Sequence, residues 1–132
     1  MEITRELVLP SPREEVWEAL TDAERLEEWL ANDVDFDLDA GRGEFRWADG
    51  EVRRAVVEEA ELERRLALRW WDPDRDTEES AVVFTLEEVP EGTRLTVTET
   101  ATGPRACAGE WSWALDLQLR WHVGRQRLLC AV

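Results

Sequence analysis

Apolar and polar residues alternate along most of the chain, and the pattern predicts a sheet flanked by helices. Ile3 to Leu9 alternates weakly and stops at Pro10, which reads as a first strand. Ser11-Pro12-Arg13-Glu14 is a helix start, with Ser11 as cap, Pro12 in the first turn and Glu14 completing a capping box. Val16, Trp17 and Leu20 then recur at helical spacing. Thr21-Asp22-Ala23-Glu24 repeats the start signal before Leu26, Trp29 and Leu30. Two short helices in tandem follow from this. Val34, Phe36 and Leu38 alternate with acids, and Phe45 and Trp47 share a face of the next strand. Asp49-Gly50 marks a hairpin. A strand over residues 51–59 follows; residues 58–65 have helix propensity but sit between strand signals. Leu66, Leu68 and Trp70 mark a further strand, as do Val82, Phe84 and Leu86. In the last strand Leu95, Val97 and Glu99 face one way and Thr96, Thr98 and Thr100 the other. Short turns between consecutive strands make an antiparallel meander.

Gly109 to Leu129 carries two competing periods. Trp111, Trp113, Leu115, Leu117, Leu119, Trp121 and Val123 alternate as a strand would. The stretch is long for a strand, rich in helix formers, and has one β-branched residue, Val123. These features decide for a long helix. On a helical wheel Trp111, Leu115, Leu119 and Leu129 form one apolar flank, and Trp113, Leu117, Trp121 and Leu128 the other. Such a helix is buried. Gln118, His122 and Arg125 fall between the flanks, where polar groups need partners or a wet cavity. A sheet face must be covered, and this helix is the large element available to cover it. If only one flank faces the sheet, the other favours a homodimer; the pattern leaves monomer and homodimer both open.

The 132 residues suit a single domain, 1–132. Net charge is −15, from 31 acids against 16 basic residues, all Arg. That balance argues against nucleic acid and anionic membranes as partners. No apolar run approaches the ~20 residues of a membrane span. The chain opens on strand-like sequence with no signal-peptide pattern, and Cys107 and Cys130, if both lie on the same helix, sit too far apart to pair. A cytoplasmic location is the expectation.

The chain resembles the START-like, or SRPBCC, superfamily. Within it the chain is similar to bacterial homologues of the C-terminal domain of the heat-shock-protein-ninety ATPase activator. The matching pieces are residues 11–22 (SPREEVWEALTD) with Leu26 and Trp29, 64–70 (RRLALRW), 83–87 (VFTLE) and 92–99 (GTRLTVTE). The resemblance implies an α+β helix-grip fold: a curved antiparallel sheet wrapped on a long C-terminal helix, with two short helices after the first strand. It also implies a ligand carrier, a chaperone-activator-like interaction module or a cyclase-like enzyme, since fold does not fix function.

The catalytic inventory is narrow. There is no Lys for a Schiff base and no Tyr hydroxyl. One His and two distant Cys give no metal cluster, and Gly41-Arg42-Gly43 lacks the full phosphate-cradling pattern. No catalytic residue, metal or cofactor is assigned. Alternation turns Glu99 inward, where it could orient a ligand or act as a base with His122; near the strand end it could equally reach solvent or an Arg. Gln118 lies one turn before His122. Trp47, Trp70, Trp111 and Leu115 are candidate walls of an apolar pocket, or fill it. In this fold Trp29 would stand at the cavity mouth, or serve as a packed helix stop. The expected function is binding of a small, largely apolar ligand, oriented by Glu99, Gln118 and His122. The alternatives are a protein-interaction module and a cyclase- or hydrolase-like enzyme using Glu99 and His122.

Overall fold

Side chains alternate between the two faces of a strand, so each alternating run commits one face to the core. In the computed structural model, which describes residues 2–74 and 79–102, seven strands obey that rule. The order is β1 (Glu2–Leu9), α1 (Arg13–Thr21), α2 (Ala23–Trp29), β2 (Asp33–Asp37), β3 (Arg42–Arg46), β4 (Val52–Glu61), β5 (Arg65–Trp71), β6 (Glu79–Val89) and β7 (Gly92–Thr102). This is the expected succession of strand, two helices and six strands. The long helix expected over residues 109–129, with Trp111, Leu115, Gln118 and His122, lies outside the described residues.

The sheet runs β1-β7-β6-β5-β4-β3-β2, antiparallel throughout. The α1–α2 pair carries the chain from one edge to the other. β2 to β7 then return as a meander, until β7 pairs with β1. Register aligns the inner face in rows. Leu7, Leu95 and Leu86 form one, Val97, Phe84 and Leu66 the next, and Glu99, Val82, Leu68 and Val57 another. Apart from Val57, which is partly buried, these side chains are buried, and each large apolar one contributes about 1.5–3 kcal/mol. β4 slips register between Val57 and Glu59, a bulge that increases local twist. Residues 58–65 form the end of β4 and its turn, so tertiary pairing overrides their helix propensity.

The helix start differs by one residue from the expectation. Pro12, not Ser11, occupies the N-cap of α1 and has no side-chain cap. Ser11 is fully buried, and its carbonyl accepts the Thr93 hydroxyl at 2.6 Å. α2 starts one residue later than the repeated start signal implies: Thr21 closes α1, and Asp22 is the cap, accepting from the Glu24 N–H at 2.9 Å. α1 buries Val16, Trp17, Ala19 and Leu20; α2 buries Leu26 and Trp29. Gly92 opens β7 at φ +143°, where a Cβ would stand 2.1 Å from the Leu9 carbonyl. The loop between β3 and β4 turns at Gly50, with φ +94°, as Asp49-Gly50 predicts.

Candidate functional site

The inner face is apolar over the rows nearest the β6–β7 turn and becomes polar toward its other end. Glu99 stands there on β7, between Ile3 of β1 and Val82 of β6 in the register. The alternation with Leu95 and Val97 forces it inward, and it is 1% exposed. It therefore does not reach solvent. Neither carboxylate oxygen completes a hydrogen bond of normal geometry with any described residue. Burial pushes its pKa from an ordinary 4.5 up to about 7; the Trp70 indole N–H and the positive charge of Arg53 offset part of that rise. At neutral pH the group is divided between acid and carboxylate.

Arg53 was not legible as a site residue. It lies opposite Phe45 in the β3–β4 register, which turns it to the inner face. Its side chain is 8% exposed and donates to Glu51 at 2.9 Å. The local sequence Val52-Arg53-Arg54-Ala55-Val56-Val57 has apolar residues in both alternation phases and so does not choose a face. The signal was the Asp49-Gly50 turn: pairing outward from it sets Arg53 against Phe45. Arg5 of β1 shares the inner face through its register with Val97, and Ser80 of β6 through its register with Trp70. Arg53 and Glu99 are the buried charged residues among those described.

The other expected wall residues lie in two groups. Trp70 is buried, with its ring set edge-on to Phe45 at 5.9 Å between centroids. Phe45 also contacts Phe36 and Trp47, so an aromatic cluster packs the β2–β5 side of the face. Trp47 donates its indole N–H to the Leu30 carbonyl at 2.9 Å and closes that side. Trp29 is buried, and its indole N–H is taken by the Ala19 carbonyl at 2.7 Å. That bond and that burial suit a packed helix stop. Trp70 is thus the one described Trp that reaches Glu99. Trp111, Leu115, Gln118 and His122 lie outside the described residues.

The outer face has different chemistry. An open depression of about 490 Å³ lies among Asp35, Asp37, Arg42, Glu44, Arg54 and Trp71. Within it Arg54 meets Glu44 at 3.1 Å. No group of three or more His, Cys, Asp or Glu among the described residues could hold a metal ion. No helix among them is long and apolar enough to cross a membrane.

Comparison with known proteins agrees with this architecture. The family model of Activator of Hsp90 ATPase homolog 1-like proteins matches residues 10–116. The chain belongs to that family. A solved structure of protein MLL2253 from Mesorhizobium loti is 30% identical, with a TM-score of 0.82, covering 97% of this chain and all of that one. A solution structure of the Aha1 dimer from Colwellia psychrerythraea has a TM-score of 0.76 at 19% identity, covering 96% of this chain and 98% of that one. DynU16, a protein of the dynemicin biosynthetic locus, is 27% identical with a TM-score of 0.67; the match covers 96% of this chain but 45% of that one. Among curated proteins no match is found.

Proposed function

We propose that this domain binds a small, largely apolar ligand over the inner face of the sheet, with its polar end at Glu99. The supporting observation is Glu99 itself. A carboxyl group that is 1% exposed among Leu, Val and Trp side chains, where burial outweighs the Trp70 N–H and the Arg53 charge, costs the fold free energy. A ligand group at that position offsets the cost. Trp70 supplies a wall and Arg53 a positive field. The same reading assigns Gln118 and His122 as further polar contacts, Trp111 and Leu115 as walls, and a terminal helix as the cover. Binding sites of this type are mostly apolar with a few fixed polar groups.

The second reading is a protein-interaction module, as the family's name implies for its activator members. The packed aromatic cluster of Phe36, Phe45, Trp47 and Trp70 favours it, because a filled face leaves less room for a ligand. Trp fluorescence during titration with apolar dyes and fatty acids separates the two readings. Saturable quenching that Trp70→Phe weakens supports the ligand site. A folded protein that gives no response to any probe overturns it.

A further inference from the structure

Asp-Gly occurs once in the chain, at Asp49-Gly50, and Asn-Gly does not occur. Glycine has no side chain to shield its main-chain nitrogen, so this pair is open to a reaction that bulkier neighbours hinder. The Gly50 nitrogen attacks the Asp49 side-chain carbon Cγ. The N–Cγ bond forms, a Cγ–O bond breaks, and water leaves with the amide proton. The five-membered imide that results then takes up water. Addition at the Asp49 main-chain carbonyl carbon breaks its bond to the Gly50 nitrogen. The product is isoaspartate, with the backbone running through Cβ and Cγ. Water is lost once and gained once, and no other reactant is needed.

The hairpin between β3 and β4 holds both reacting groups. The Gly50 N–H donates to the Trp47 carbonyl at 3.0 Å. The Asp49 carboxylate accepts the Glu51 N–H through Oδ1 at 2.9 Å. The Trp47 N–H donates to the Glu51 carbonyl at 2.9 Å and closes the turn. Asp49 and Gly50 are exposed, and a Cβ at Gly50 would meet nothing within 4 Å. Crowding and burial therefore do not hinder the attack; the hydrogen bonds of the turn do. We propose that Asp49-Gly50 is a site of backbone isomerisation that the closed hairpin suppresses and an opened hairpin releases. The product does not rebuild the turn. Its backbone is longer by one methylene, and its carboxylate no longer stands where the Glu51 N–H meets it. Register outward from the turn sets Val52 against Arg46 and Arg53 against Phe45. The same hairpin brings the Trp47 indole N–H to the Leu30 carbonyl. A change at an exposed tip is thus felt at the inner face, through the placement of Arg53 and Trp47.

Peptide mapping of the full chain tests the proposal. Cleavage after Arg46 and Arg53 releases residues 47–53 as one peptide, whose aspartate and isoaspartate forms separate by chromatography. The chain is held at neutral pH and physiological temperature, either folded in buffer or unfolded in guanidinium chloride. Isoaspartate at position 49 should form at least about tenfold faster in the unfolded chain, because local opening gates the reaction in the folded one. Trp47→Phe removes the indole bond to the Leu30 carbonyl. It should speed the folded reaction several-fold and leave the unfolded rate unchanged. The isomerised chain, returned to buffer, should unfold at a lower urea concentration than the intact chain. Equal rates in the folded and unfolded chain overturn the suppression. An unfolded chain that forms no isoaspartate at position 49 overturns the site itself. An isomerised chain that refolds with an unchanged urea midpoint overturns the link to the inner face.

Discussion

The hydroxyl of Thr93 donates to the main-chain carbonyl of Ser11 at 2.6 Å, and both residues are fully buried. The bond joins the start of β7 to the turn that leads from β1 into α1, 82 residues earlier. Thr93→Val keeps the shape and removes the donor that the Ser11 carbonyl accepts. The expected cost is about 1–3 kcal/mol, read as a lower urea midpoint with an unchanged m-value.

A second buried tie holds the helices. The Ala19 carbonyl belongs to the last turn of α1, where helix carbonyls lose their regular partners, and the Trp29 indole N–H supplies one. Trp29→Phe keeps most of the apolar area. It should lower stability by about 1–2 kcal/mol and leave ligand binding near the wild-type value. A strong loss of binding without loss of stability would place Trp29 in the site instead.

Glu99 makes stability depend on pH with a definite sign. The folded chain holds its proton up to about pH 7, whereas an unfolded chain releases it near 4.5. The folded state therefore binds more protons between those values, and the contribution is fully present below 4.5 and lost as pH rises through 7. The loss amounts to about 3 kcal/mol. Glu99→Gln should remove it. Urea unfolding at pH 5 and pH 8 should show the variant gaining on the wild type at the higher pH. Parallel pH profiles would mean that Glu99 is ionised in the fold with a normal affinity for its proton.

Gly92 adopts a backbone angle closed to other residues and packs its Cα against the β1 edge. Gly92→Ala drives a methyl group into the Leu9 carbonyl, and backbone cannot yield there as a flexible side chain would. A loss of about 3 kcal/mol or more is expected, measured as a fall in Tm. Gly50→Ala supplies the control, since its Cβ meets nothing within 4 Å and only the positive φ is strained.

Element order and the inward set of β7 were legible because each rests on local alternation with an unambiguous phase. Leu95, Val97 and Glu99 have threonines at every intervening position, so one face had to be the core. Arg53 was not legible, because its strand is apolar in both phases and only pairing across the hairpin selects a face. Ser11 was read as a cap from its neighbours; its burial depends on Thr93, which no local window contains. Trp29 looked like a rim residue only by its place at the end of α2. Its bond to the preceding helix is a relation between two elements, which periodicity does not express.

The acids of β2 have a consequence for self-association. Asp33, Asp35 and Asp37 alternate along a strand that pairs, among the described strands, only with β3. A strand with one neighbour offers its outer N–H and C=O groups as a template for another chain, and here the Glu27 carboxylate takes one of them, the Val34 N–H, at 2.9 Å. Here any second copy arriving in antiparallel register brings its own row of carboxylates against this one. The repulsion guards this five-residue edge without spending a single core position. Salt screens such charges, so the guard weakens as ionic strength rises, and the sheet gains its route to growing sideways from the β2 edge.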